Sequence, residues 1–150
     1  TAQHRILIDS DLHHLGDNDY SYYSSGAMQF QAEAVSTTLE RQFLLPAAPQ
    51  QPPKTLQLII GAVIGLDTQR AHQMGQSTIP HVSSPMQVLL NGQLIAHITM
   101  NGLHQSIRVS PKQLNFGGLN HLELKTGYHR PDGIRVDYDD LELMNLYLEF

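Results

Sequence analysis

The sequence predicts an all-β fold, an antiparallel β-sandwich of eight or nine strands, and three observations carry that expectation. First, two apolar runs, residues 88–90 and 94–99, flank Asn91-Gly92. A type I′ turn needs positive φ at both central residues, which Asn and Gly tolerate, so this dipeptide is the strongest short-range hairpin signal. Second, further short runs alternate at period two: Met28, Phe30, Ala32 and Ala34 with Gln29, Gln31 and Glu33, and Leu122 and Leu124 with Glu123 and Lys125. Such alternation buries one face of a strand and leaves the other wet. Third, helix is confined to one turn at residues 110–114, where Ser110 caps and Pro111 occupies the first position.

The elements follow in order. Residues 5–8 form a short apolar strand, then residues 9–19 an acidic loop and residues 20–26 a tyrosine- and serine-rich continuation, so that 1–26 is mostly loop. Strands are expected over 28–34 and 37–45. The run Pro46-Ala47-Ala48-Pro49-Gln50-Gln51-Pro52-Pro53 lacks regular donors and makes a semi-rigid surface connection. A strand resumes over 55–64, with Leu56, Leu58 and Ile60 on one face. Residues 65–84 show no period and read as a long, functional loop. After the hairpin come a short strand at 105–109, the single turn, a Gly117-Gly118-Leu119-Asn120 turn and a strand at 121–126. Residues 127–133 are a polar loop, and 141–150 close the chain as a strand. There Leu141 and Leu143 give way to Leu146, Leu148 and Phe150, a change of phase at Met144-Asn145 that suggests a bulge.

With 150 residues the chain fits one domain, large enough to bury roughly two-thirds of its unfolded surface. No apolar run is long enough to span a bilayer. The net charge of −5 and the absence of a Lys/Arg cluster disfavour nucleic acid and anionic membranes as partners. There is no cysteine, hence neither a disulfide framework nor a thiolate site. The chain begins at Thr1 with no signal peptide, as a mature or excised fragment would.

Catalytic signatures are missing. Nine histidines occur without a His-x-x-x-His helix or a His-Glu-x-x-His motif, and no Gly-x-Ser-x-Gly elbow or phosphate-cradling glycine loop is present. His13 and His14, being adjacent, would point to opposite sides of a strand and make a poor chelate. The expectation is therefore a chain without catalytic residues of its own. Carboxylates are crowded at Asp9, Asp11, Asp17 and Asp19, and again at Asp137, Asp139 and Asp140. Hard oxygen donors so spaced suit calcium, which takes six to eight oxygens, and equally suit solvated turns. Saccharides need flat aromatic faces and planar polar groups. Tyr20, Tyr22 and Tyr23 in one loop, Arg70 and His72 in the long one, and Tyr128, His129 and Arg130 in a third offer both, although the chain has no Trp.

The order Val88-Leu89-Leu90-Asn91-Gly92, then Ile107-Arg108-Val109-Ser110-Pro111 with Leu114, then Gly118-Leu119-Asn120-His121-Leu122-Glu123-Leu124, and finally the Asp137 to Leu148 ending, resembles the galactose-binding-like jelly roll. That is the fold of many carbohydrate-binding modules and of accessory β-sandwich domains in polysaccharide lyases and glycosidases. The likeness covers residues 27–150 and lies in positions that carry the fold. It implies a non-catalytic module that binds a glycan or polysaccharide through rim loops. The module would sit beside a catalytic domain of the same parent protein, outside the cell or in the periplasm. It also implies a structural Ca2+ where an early loop meets the last strand, drawing on Asp9 and Asp11 and on Asp137, Asp139 and Asp140. A fold of this kind also serves as a structural or adaptor domain. In that case apolar surface around Met74, Ile79 and Val82 would meet a protein partner and no sugar would bind.

Overall fold

A computed structural model describes residues 4–16, 36–51, 53, 55–66, 83–129, 137–138 and 140–150. The expected strand at 28–34, the tyrosine-rich 20–26 segment and most of the 65–84 stretch lie outside these residues. What is described is all-β and antiparallel, a sandwich of two sheets. One sheet has the order β1 (Arg5–Asp9), β12 (Leu141–Glu149), β4 (Gln57–Ile64), β8 (Gly102–Arg108). In it β2 (His13–Leu15) also pairs with β12. The facing sheet runs β3 (Thr38–Leu44), β9 (Leu119–Lys125), β6 (Met86–Leu90), β7 (Gln93–Ile98). A small third sheet joins β11 (Asp137–Tyr138), β10 (Tyr128–His129) and β5 (Ser83–Ser84). The proline-rich connection carries the chain from the second sheet to the first, tied down by Leu45 N–H to Gly118 O and by Gly117 N–H to Pro46 O. Among the described residues no helix is long and apolar enough to cross a membrane.

The core is the space between the two large sheets. Leu15, Leu58, Ile60, Val63, Ile107, Leu141, Leu143, Leu146 and Leu148 enter it from one side. Leu39, Phe43, Met86, Val88, Leu90, Ile98, Leu122 and Leu124 enter from the other. Full burial of one such side chain stabilises by about 1.5–3 kcal/mol, so these alternating faces dominate the fold. The hairpin forms as the sequence dictates, with Leu90 opposite Gln93 and φ of 50° and 82° at Asn91 and Gly92. Its register slips between Val88 and Leu89, which leaves Ile95 as the extra residue and turns Leu94 outward. The single helical turn is the 3-10 turn Pro111–Gln113. Ser110 accepts from Lys112 N–H, and Gln113 Oε1 accepts from Ser110 N–H.

Besides β5 at the end of the expected 65–84 loop and β10 inside the expected 127–133 loop, two features depart from the sequence reading. Residues 1–26 are not mostly loop where they are described: besides β1, His13–Leu15 forms β2, because Leu141, Glu142 and Leu143 of the last strand supply its ladder partners. The phase change at Met144-Asn145 is real, but it is not a slip against β4. The β12–β4 register runs unbroken from Glu142↔Ile64 to Glu149↔Gln57. Instead Asn145 adopts φ 61° directly across from Gly61, and β4 changes phase with it, from Leu58 and Ile60 to Val63. A Cβ on residue 61 would come within 2.7 Å of the Asn145 Cβ. Glycine is what lets the two strands kink together.

The turn end of the second sheet is held by a buried amide. Asn120 Oδ1 accepts from Asn115 N–H and from Asn91 Nδ2, while its Nδ2 donates to Asn115 O and Gly118 O. Asn91 in turn donates to Gln113 O and accepts from His121 N–H. One side chain thus locks hairpin turn, 3-10 turn and β9 together, and satisfies backbone groups that strand pairing leaves open.

Candidate functional site

The adjacent histidines of β2 divide the N-terminal chemistry between two faces. Leu15 and its partner Leu141 point into the core, so His14 and its partner Glu142 occupy the opposite face of the sheet. His14, Asp140 and Glu142 are all buried there. His14 Nε2 lies 2.8 Å from Asp140 Oδ1, in a contact closed to water on both sides. A hydrogen-bonded pair shielded this way is strongly coupled, because low local dielectric strengthens it.

His13 turns the other way and joins the sandwich rim. Its Nε2 is 2.8 Å from Asp9 Oδ2, and Arg41 Nε donates to the same oxygen at 2.5 Å. Asp9 Oδ1 accepts from Asp11 N–H at 2.7 Å. Arg41 shares the inward phase of Leu39 and Phe43 on β3, an edge strand, so its guanidinium reaches across to the opposing sheet. An inward-pointing charge on an edge strand also discourages strand addition. Desolvation alone would raise the Asp9 pKa. The Asp11 N–H bond, Arg41 and His13 together outweigh it and hold the carboxyl below its ordinary value.

A depressed carboxyl pKa fixes a sign. Asp9 stabilises the fold fully above the unfolded value of about 3.9, and that contribution is lost as pH falls through the lower folded value. Arg41→Met removes one of the groups holding the pKa down, so the acid unfolding midpoint should move to higher pH. Thermal unfolding followed across pH 2–6, with the Asp9 carboxyl tracked by NMR, measures this directly. An unchanged midpoint would show that Arg41 does not hold Asp9.

The ligand atoms of Asp9, Asp11 and His13 lie within 4.8 Å of one another, close enough to share an ion. The donor set nonetheless fits calcium badly. Both Asp9 oxygens are already committed, and a guanidinium sits where a hard dication would have to compete. The second half of the expected calcium set is elsewhere: Asp140 is bound to buried His14 on the other face. Asp139 and the Asp137 side chain lie outside the described residues. A further group, Glu40, His121 and Glu123, sits on the outer face of the second sheet. There Glu40 stands directly opposite Glu123, and Lys125 Nζ offsets the like charges at 3.2 Å from Glu123 Oε1.

The expected saccharide residues are placed in part. Tyr20, Tyr22, Tyr23, Arg70, His72 and Arg130 lie outside the described residues, as does the His129 side chain. Tyr128 is half-buried on β10, and its ring meets that of Tyr138 with centroids 6.1 Å apart at 60°. In the small sheet Tyr128 pairs with Ser84 on one side and Tyr138 on the other, and His129 with Ser83 and Asp137. The sequence reading weighed His13 and His14 only as a chelate and passed over Arg41. Their available signals were the four-residue spacing of Asp9 and His13 and the inward phase of Leu39, Arg41 and Phe43. No family model matches the chain, and neither a curated protein nor a solved structure matches it.

Proposed function

We propose that this chain is a non-catalytic carbohydrate-binding β-sandwich of the galactose-binding-like kind, an accessory domain of a larger secreted or surface enzyme. The observation that carries the reading is the convergence on the small sheet. Its strand β5 ends the long 65–84 stretch, β10 holds Tyr128 and His129, and β11 sets Tyr138 against the Tyr128 ring. Two of the segments expected to form the site are thereby hydrogen-bonded to each other and to a second tyrosine. Aromatic rings stack on the apolar face of a pyranose, and planar polar groups beside them take its hydroxyls. The titratable clusters described above are engaged in holding the fold, Asp9 by Arg41 and Asp140 by His14, and the reading asks no chemistry of them.

A glycan and polysaccharide screen, run in calcium and again in chelator, tests it. Binding is expected under both conditions, because no calcium is needed at Asp9. Tyr128→Ala should abolish binding of neutral glycans while far-UV circular dichroism stays unchanged. Absence of binding by the wild-type chain would remove the reading. The second reading, a domain that docks on a protein, is favoured by Leu44 and Leu119. They stand directly opposite on β3 and β9 and remain 71% and 51% exposed.

A further inference from the structure

A groove of about 510 Å³ lies where β4 begins and β8 ends, with Pro53, Gln57, Arg108, Ser110, Pro111 and Gln113 in its lining. Gln57 and Arg108 are direct cross-strand partners, and the 3-10 turn brings in Ser110 and Gln113. The hydrogen bonds already made there leave a particular remainder. Gln113 Oε1 is taken by the Ser110 backbone N–H at 2.9 Å, a group that can only donate, so the Gln113 amide nitrogen is what is left for a ligand. Gln57 Oε1 accepts from Ser106 Oγ at 2.8 Å, which again leaves the amide nitrogen. Ser110 Oγ accepts from Lys112 N–H at 3.3 Å and keeps its own proton to give. Arg5 and Arg41 are engaged by Glu149 and Asp9. Arg108, among the described residues, has no carboxylate partner, and no acidic side chain among them lines the groove.

What remains is therefore almost entirely donors around one guanidinium, between apolar walls that include Pro53 and Pro111. In a chain of net charge −5 that is a local inversion of sign. A guanidinium offers a fork of N–H groups that matches a carboxylate in a bidentate way, and neutral amide donors suit the ring and hydroxyl oxygens beside it. The volume exceeds that of a bare inorganic anion. We propose that this groove binds a carboxylate-bearing saccharide, Arg108 holding the carboxylate while the Gln57 and Gln113 amides donate to neighbouring oxygens. The ligand class rests on the carbohydrate reading above, but the residues are separate from the tyrosines, so the two can fail independently.

The test is calorimetric titration with oligomers of galacturonate and of glucuronate, with their methyl esters, and with inorganic phosphate. Wild-type protein and Arg108→Gln are compared, with equal thermal unfolding confirming that this exposed substitution leaves the fold intact. The wild type should bind one of the acids and bind its ester at least about tenfold more weakly, a difference of roughly 1.4 kcal/mol. Arg108→Gln should lose that preference, its affinity for the acid falling to that for the ester. Equal affinity for acid and ester, full acid binding by Arg108→Gln, or phosphate binding as tight as the saccharide would each overturn the proposal. A neutral glycan that depends on Tyr128 but not on Arg108, with no acid bound, would overturn the groove and keep the module.

Discussion

Asp140→Ala should destabilise the protein by about 3 kcal/mol, the upper end of the range for taking a hydrogen-bond partner from a buried polar group. His14 and Asp140 meet at 2.8 Å with both side chains closed to solvent. Removing either takes away a 2.8 Å contact that offsets the desolvation of the other. Their position amplifies the effect, since β2 is held by three ladder pairs to β12 and Asp140 immediately precedes β12. In a domain of this size, 1 kcal/mol moves Tm by about 2–4 °C, so a loss of roughly 10 °C is expected. Asp140→Asn keeps an acceptor of the same shape and should cost clearly less. His14→Ala should cost about as much as Asp140→Ala, and the double variant less than their sum, because residues in contact are not additive. Urea unfolding of the four variants checks this. A loss under about 1 kcal/mol for Asp140→Ala, or simple additivity, would mean that the pair is not the clasp of β2.

How much was legible in the sequence follows a physical division. Features decided by neighbours along the chain were readable. Asn91-Gly92 specifies its own turn, Ser110-Pro111 with Gln113 specifies its own cap, and the alternating leucines of β9 and β12 specify their buried faces. Even the phase change at Met144-Asn145 was visible, although its cause was not. Gly61 lies 84 positions away by number, and only the β12–β4 register sets it opposite Asn145. The same holds for the sites. Asp9 and Asp11 were singled out as carboxylates. That Arg41 neutralises the first depends on which strand of the opposing sheet lies at the rim. Asp140 was grouped with Asp137 and Asp139 by sequence, yet the partner that governs it is 126 residues away. His13-His14 was readable in geometry and unreadable in consequence. Opposite orientations were expected, and each imidazole found a different aspartate. Single-sequence patterns encode the period of an element and its ends. They do not encode its pairing partners, and in a sandwich those partners assemble every polar site.

Gly16→Ala should be at least as damaging, for one reason in the backbone and a second in the space beside it. Gly16 follows β2 with φ 146°, a conformation that L side chains rarely adopt, and its N–H donates to Ser36 O at 3.0 Å. Holding a non-glycine residue there costs about 1–3 kcal/mol in itself. Space is the second obstacle. A Cβ would sit 2.6 Å from Asp140 Cγ and 2.7 Å from Asp140 Cα. The carboxylate cannot simply swing away, because that breaks its bond to His14, and the Cα belongs to the main chain entering β12. Overpacking of this kind costs a further 1–3 kcal/mol or so. The two costs share a cause, since any backbone shift that relieves the contact must move the strand end that Gly16 anchors. About 3–5 kcal/mol is therefore expected. The variant also carries a signature that separates it from generic loss of packing. If the clash acts through Asp140, Gly16→Ala introduced into Asp140→Ala should cost markedly less than in the wild type. Equal cost in both backgrounds would assign the whole effect to φ and free Asp140 from it. Chemical denaturation of the single and double variants decides between these outcomes, with amide exchange at 13–15 reporting whether β2 detaches before the rest of the sheet.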